Sequence, residues 1–345
     1  LTKFTKSRLV LTNSGTSSLH LSLILSGVKK NDEVLVPSIT FIASVNVILY
    51  LAAFPIFFDT YKDCLNGDVS KILLFLKNQT YTSKKGTFNI KTKRRIRALI
   101  FTHVFGNLSD LKLLKMVLKK KKIKLIEDAA EAVGSFNSNG SHAGTEGNYG
   151  VLSFNTNKVI TTSSGGALFL KSIKDYKRAK ILISQGKVNN IFFMHQEMGF
   201  NYGMTNINAA IGLGQLSQLK KIILMKKKIH ERYVKNFSKN ENIILMNFEK
   251  NTKPNYWLNS IILKNCNYNK LKTIVKTIND AGIQVRPLWY PSHKQNFLKK
   301  YQRYNLVNSE SFYKKTLCIP SSYFLKTNEI NYISKIIKDV VKKKL

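Results

Sequence analysis

Runs of apolar residues alternate along this chain with amphipathic stretches, and the alternation predicts a repeated strand, helix, strand order. LVLTN (9–13) reads as a short buried strand, and SGTSSLHLSLILSGV after it as a helix opened by Gly15 with apolar Leu19 and Leu23 on one side. DEVLVPS (32–38) is a strand, TFIASVNVILYLA a buried helix and FPIFFD the next strand. The rhythm returns with RALIFTHVFG (97–106), the helix LKLLKMVLKK and KLIEDAA (124–130). Strands separated by helices in this way imply an α/β domain on a mostly parallel sheet. After Asp128 come a glycine-rich connection, the short strand VLSFN, Lys158, and a tight turn at Gly165 and Gly166 into an apolar run. Residues 171–200 are mixed and polar. GFNYGMTNINAAIGLGQLSQLKKI then begins a long helix whose Ala209, Ala210, Gly212 and Gly214 permit close packing, and it carries the chain out of the first domain.

From about residue 236 the order changes to NYWLNSIIL (255–263), the helix LKTIVKTINDAG ending at Gly282, the loop IQVRPLWYPSHK and the terminal helix EINYISKIIKDVVKKKL. The expected division is a large domain over 1–235 and a smaller α+β domain over 236–345. Val34–Phe58 carries no charge and is long enough to be mistaken for a membrane span. Pro37 and Pro55 near its ends, Asn46 inside it and acidic flanks at Asp32, Glu33 and Asp59 predict strand, helix and strand instead. With no signal-like segment, a cytoplasmic protein without a membrane partner is expected. The chain starts at Leu1 and enters a helix-like stretch at once, so a further N-terminal piece is expected to precede it.

Composition changes the picture less than pattern does. The 43% hydrophobic content over 345 residues is enough for a large core. The 56 Lys and Arg against 19 Asp and Glu give a net charge of +37, which raises nucleic acid or an anionic surface as a partner. The lysines gather on helices and at the C-terminal end (KKKKIK at 119–124, KKK at 226–228), with no recognition motif or aromatic interleaving. A compositional habit accounts for them better than a nucleic-acid partner. Cys64, Cys266 and Cys318 stand far apart with no ligand spacing, so neither a disulfide framework nor a metal site is indicated.

Candidate chemistry follows from where the strands end. In open α/β sheets, binding residues collect at the carboxyl ends of strands, which brings Ser38–Phe41, His103–Gly106 and Glu127–Glu131 to one crevice. The N–H groups around Gly15, Thr16 and Ser17 could hold a phosphate at a helix N-terminus, or the serines could be an ordinary helix cap. Asp128 could pair with a protonated ring nitrogen or cap the next helix. Between Ala132 and Leu170 only Glu146 and Lys158 are charged, where a chain with 22% charged residues leads one to expect about eight or nine. A lysine that must shed its proton to attack a carbonyl benefits from such quiet ground. The alternative is one more solvated lysine. Arg286, Trp289 and His293 fall on a proline-punctuated loop suited to substrate contacts, or to a packed Trp beside a solvated Arg and His.

TNSGTSSLHLSLILSGVKKNDEVLVPSITFIASVNVILYLAAFPIFFD, IEDAAEAVGS, HAGTEGNYGVLSFNTNKVITTSSGGAL and EMGFNYGMTNINAAIGLGQL together resemble the DegT/DnrJ/EryC1/StrS family of nucleotide-sugar aminotransferases. NYWLNSIIL, RPLWYPSHK and CIPSS are similar in particular to its LegC-like branch, which aminates C4 of UDP-linked 4-keto-6-deoxy acetamido sugars. The resemblance implies the type I fold of pyridoxal-phosphate enzymes, aspartate-aminotransferase-like, with a seven-stranded type of sheet. It implies Lys158 as the Schiff-base lysine and Asp128 as the partner of the pyridine nitrogen. Phe41 would stack on the ring, Glu131 would lie near its hydroxyl, and Gly15, Thr16 and Ser153 would hold the phosphate, with Ser17 beside them. Asn201 would reach the phosphate of the neighbouring subunit, making the active unit a homodimer. Arg286, Trp289 and His293 are its candidates for the nucleotide-sugar, and glutamate the expected amino donor. The family's dehydratase branch has histidine in place of the lysine, which SFNTNK argues against. A basic binding protein and an inactive homologue are the other readings. Where many relatives have GTFGD this chain has GTEGN, which sets Glu146 and Asn148 apart.

Overall fold

The computed structural model describes residues 1–345 except Asn190. Among the described residues the large sheet has ten strands, and seven of them run side by side: β1 (Leu9–Thr12), β2 (Glu33–Pro37), β3 (Phe54–Phe58), β4 (Arg95–Thr102), β5 (Lys124–Asp128), β6 (Tyr149–Ser153) and β7 (Gly166–Leu170). Their spatial order is β1-β7-β6-β5-β4-β2-β3. The run from β6 to β3 is parallel throughout, and β7 is antiparallel to both of its neighbours. Every residue of β2, β6 and β7 is buried, as a sheet covered on both faces requires. Helices α1 (Gly15–Leu25) and α2 (Ala43–Tyr50) close one face over Val36, Phe57, Ile100 and Ile126. On the other, α3 (Val69–Asn78) and α4 (Lys112–Lys120) pack Ile72, Phe75 and Leu114 against Phe58 and Leu99.

From β4 the chain steps through β5 to β6 on one side, while β2 leads to β3 on the other, so the winding reverses between β2 and β4. Such a switch point splays the connections apart and opens a crevice beyond the strand ends. Among the described residues no helix is long and apolar enough to cross a membrane, and Val34–Phe58 folds as β2, α2 and β3.

The polar stretch 171–200 holds more structure than its composition suggests: α5 (Ile173–Leu182) and a short hairpin pairing Lys187–Asn189 with Met194–His195. Only Ala179 and Leu182 of α5 are buried, too few for a visible apolar stripe. The long helix α6 (Asn206–Phe237) then leads to a second, antiparallel sheet of β8 (Ile243–Leu245), β9 (Asn259–Leu263), β10 (Arg286–Pro287) and β12 (Thr316–Ile319), in the order β8-β9-β12-β10. α7 (Tyr268–Asp280) and α9 (Thr327–Lys344) cover it with Leu271, Ile274 and Ile337. Before β12, β11 (Arg303–Tyr304) returns to the large sheet and pairs parallel with β3, followed by α8 (Val307–Tyr313). Trp257, Leu288 and Phe312 share a core with Leu152 of β6 and with Val104 and Ile160 from the connections beyond the strand ends, so part of the C-terminal stretch packs directly against the large sheet.

Candidate active site

A cavity of about 700 Å³ opens beyond the carboxyl ends of β4, β5 and β6, walled on the far side by the second sheet. At one end lies the start of α1. Ser14 is its N-cap, and its Oγ accepts the N–H of Ser17 at 3.0 Å. The Ser17 hydroxyl donates to Asn13 Oδ1 at 2.6 Å, so Ser17 is spent on the cap and stays out of the cavity wall. The N–H groups of Gly15 and Thr16, at the head of the helix, have no intrahelical acceptor, and both residues line the cavity. Ser153, at the end of β6, lies against them. A Cβ on Gly15 would sit 2.9 Å from Ser153 Cβ, and one on Gly166 would sit 2.5 Å from the Ser14 carbonyl oxygen. Glycine at these positions is what lets α1 begin directly over β6 and β7. Free N–H groups, a serine hydroxyl and the positive end of a helix form an anion site. Cap and anion site coexist. Gly15→Ala is expected to separate α1 from Ser153 and weaken binding of a phosphate-bearing cofactor by about tenfold, measured by fluorescence titration.

Deeper in the cavity, Asp128 ends β5 with 4% exposure. Its Oδ2 accepts the Ser44 hydroxyl at 2.6 Å and its Oδ1 the N–H of Ala130 at 3.1 Å. Ser44 stands in a hydroxyl chain with Thr40 at 3.1 Å, which meets Thr102 at 3.0 Å. One turn on, Glu131 accepts the Phe105 N–H at 2.9 Å on Oε2, and Lys158 Nζ at 3.3 Å on Oε1. Lys158 Nζ also lies 4.3 Å from the centre of the Trp257 ring. The ground around Lys158 is thus quiet along the chain but not in space: Glu131, just outside the charge-poor stretch, is its nearest neighbour of opposite sign. Burial pushes the Glu131 carboxyl up from its ordinary value, Lys158 and the Phe105 N–H pull it back, and Asp128 pushes it further up. Phe41 is 57% exposed at the cavity mouth and meets Trp289 edge to face, ring centres 6.4 Å apart. Arg286, exposed on β10, lines the same mouth.

Besides Ser17, two predicted residues lie elsewhere. His293 is 1% exposed, with Nδ1 2.7 Å from Ser38 Oγ and Nε2 3.2 Å from Glu310 Oε1. It braces the end of β2 against α8 and leaves the cavity wall to Arg286 and Trp289. Asn201 is exposed and outside the cavity of its own chain, and its carbonyl accepts Asn13 Nδ2 at 3.1 Å.

Behind the site, Glu127 points to the other side of β5. It accepts His103 Nε2 at 2.8 Å and the N–H groups of Gly144, Glu146 and Gly147. Burial pushes its carboxyl up, but His103 and these N–H groups outweigh that and hold it below its ordinary value. Glu146 also accepts Asn137 Nδ2 at 3.1 Å, and Asn148 Oδ1 accepts the Leu125 N–H at 2.9 Å, so both residues of the GTEGN variation pin this loop. His142 accepts the Gly134 N–H on Nε2 at 2.8 Å, which leaves Nδ1 to donate to the Ala143 carbonyl at 2.6 Å. Burial lowers it from 6.5 to about 4, against the opposing pull of Glu127 and with a small push from His103. The unfolded chain takes up this proton at a higher pH than the folded chain does. Stability therefore falls as pH drops from about 6.5 towards about 4. The urea midpoint is expected to decline through that window, and His142→Asn to flatten the decline.

Sequence reasoning missed several residues at the site. Asn255 Nδ2 donates to the carbonyls of Glu131 at 2.8 Å and Val133 at 3.0 Å, tying the segment that leads into β9 to the Glu131 turn. Trp257 Nε1 donates to the Asn157 carbonyl at 2.8 Å, beside Lys158. Both belong to NYWLNSIIL, whose aromatic read as the start of a strand. Lys226 is buried on α6 and donates to the carbonyls of Trp257 at 3.0 Å and Ser321 at 2.7 Å, and burial pushes it down to about 8. Its signal was legible: it shares the buried helical face of Ile222, Ile229 and Tyr233.

The residues present fit pyridoxal phosphate. The α1 terminus and Ser153 suit its phosphate, the buried Asp128 its ring nitrogen, and Lys158 its aldehyde. The family model of the DegT/DnrJ/EryC1/StrS aminotransferases matches residues 1–338. The chain is 32% identical over 328 residues to the GDP-perosamine synthase of Escherichia coli O157:H7, covering 95% of this chain and 84% of that protein. It is 28% identical to a UDP-4-amino-4,6-dideoxy-N-acetyl-beta-L-altrosamine transaminase of Campylobacter jejuni, over 96% of this chain and 85% of the other. Its fold matches the crystal structure of a DegT DnrJ EryC1 StrS aminotransferase from Brucella abortus with a TM-score of 0.87 at 22% identity, covering 98% and 87% of the two chains. Reversed winding at β2 and β4, the helix-end anion site, the Asp128 and Lys158 pair and these likenesses converge: the chain belongs to the DegT/DnrJ/EryC1/StrS aminotransferase family, and its cofactor is pyridoxal phosphate.

Proposed function

We propose that the protein transfers an amino group to the C4 keto carbon of a nucleotide-linked 4-keto-6-deoxy sugar, with glutamate as donor. The observation that carries this reading is Lys158 and Asp128 in one cavity, with Lys158 Nζ set between Glu131 and the Trp257 ring. The relatives named above, a GDP-sugar enzyme and a UDP-sugar transaminase, support a nucleotide-sugar substrate. Pyridoxal phosphate supplies an aldehyde that condenses with amines and a ring that stores an electron pair. The chain supplies the rest. Asp128, held in place by Ser44 and Ala130, keeps the ring nitrogen protonated. Lys158 moves a proton at the substrate carbon. Gly15, Thr16 and Ser153 fix the phosphate, and Phe41 and Trp289 narrow the mouth where Arg286 meets the anionic nucleotide.

The active unit in this reading is a homodimer. Phe192 (73%), Phe193 (69%), Met198 (83%) and Ile207 (74%) are exposed on the stretch of chain that flanks Asn201, from the hairpin through the following connection to the first turn of α6. Large apolar side chains gathered on one such stretch suit a protein interface, and a second copy covering it would bring Asn201 to the partner's phosphate site. Incubating the holoprotein with glutamate and GDP- or UDP-linked 4-keto-6-deoxy sugars tests the reading. Mass spectrometry should find a 4-amino sugar and 2-oxoglutarate; glutamate consumed with no sugar in either series aminated contradicts it.

A further inference from the structure

Lys158 must shed a proton before its nitrogen can attack a carbonyl, and the cavity places one acceptor in contact with it. Of the two wall carboxylates, Asp128 has both oxygens engaged, by Ser44 and by the Ala130 N–H. Glu131 has Oε2 engaged by Phe105, while among the described residues Oε1 receives only Lys158 Nζ, at 3.3 Å.

We propose that Glu131 is a catalytic acid–base group that takes the Lys158 proton directly and returns it. The inference rests on the reading of Lys158 above. One proton moves from Nζ to Oε1, ammonium and carboxylate become amine and carboxylic acid, and the net charge of the site is unchanged. Release of the proton to bulk water would instead leave the Glu131 carboxylate unpaired in a wall where it is 5% exposed, which is costly. The internal transfer removes both charges together. The titratable and charged groups around Glu131 are Lys158, Asp128 from the same turn, and Cys318 from β12, which in turn has Arg286 of β10 beside it. Burial and Glu131 push the Cys318 thiol up to about 12, so it keeps its own proton at neutral pH. The upward push of burial on Glu131 favours its holding a proton.

The test uses the full chain freed of cofactor, and follows covalent capture of pyridoxal phosphate by borohydride trapping and peptide mapping between about pH 6.5 and 8.5. In the wild type one proton is shared by the pair throughout, so the capture rate should vary by less than about threefold. In Glu131→Gln the lysine can lose its proton only to water, and the rate should rise by about tenfold per pH unit. Glu131→Asp, which keeps an acid, should restore the flat profile. Saturable binding of pyridoxine 5′-phosphate, which has no aldehyde, should persist in all three and reports a folded site. A wild-type rate that itself climbs tenfold per unit, or a flat profile in Glu131→Gln, overturns the proposal and leaves Glu131 as a simple ion-pair partner. Capture in the wild type at a residue other than Lys158 would instead remove the reading on which it rests.

Discussion

Lys158→Ala should lower turnover by about ten-thousandfold or more and abolish covalent capture of pyridoxal phosphate. The variant loses the amine that condenses with the aldehyde and the base that moves the proton, and no neighbour can stand in. Lys226, also buried, has its nitrogen held between the carbonyls of Trp257 and Ser321. The fold should survive: Lys158 contributes one ion pair and one cation–π contact, with its side chain 12% exposed. Phosphate binding, proposed for Gly15, Thr16 and Ser153, should likewise be independent of the lysine. Reversible, non-covalent cofactor binding with no turnover is the expected combination, read by equilibrium dialysis beside a steady-state assay. Turnover above one hundredth of the wild type would contradict it.

Asp128→Asn should lower turnover by about a thousandfold while leaving capture at Lys158 in place. Asparagine keeps the shape of the carboxylate and can still accept the Ala130 N–H on its oxygen, so the β5 turn is preserved, while its Nδ2 would donate to Ser44 and reverse the hydroxyl chain. It removes the negative charge that holds a ring nitrogen protonated. A structural role alone would be met by Asn and lost in Ala. Turnover that persists in Asn but fails in Ala would therefore assign Asp128 to the turn. Loss in both, with melting temperature unchanged in Asn, supports the electrostatic role.

The large sheet was legible because its strands are nearly continuous apolar runs between recognisable helices. β1, β2, β3, β5, β6 and β7 lie where the alternation puts them. β11 was not, because Arg303 and Tyr304 form a two-residue pairing whose partner, β3, lies some 245 residues earlier, and no local pattern encodes it. The same holds at the site. Gly15, Asp128 and Lys158 announce themselves by strand ends and punctuation, whereas Trp257 reaches the cavity only because the chain around it folds back on the Glu131 turn, where Asn255 anchors it. His293 lies off the cavity wall for the converse reason. A histidine on a proline-rich loop looks available, but the packing of α8 and the end of β2 turns it inward to Ser38 and Glu310. The charge-poor stretch around Lys158 was real, yet it hid the nearest charge because Glu131 precedes it by one residue.

The central claim is that Lys158 carries the cofactor, and the most direct measurement is borohydride reduction of the holoprotein followed by peptide mapping of the pyridoxyl label. The two lysines to be told apart are Lys158, beside Glu131 in the cavity, and Lys226, buried behind Trp257. A single label on Lys158 is the expected result. Label on Lys226 or on any other lysine, or a holoprotein that takes no label, would contradict it.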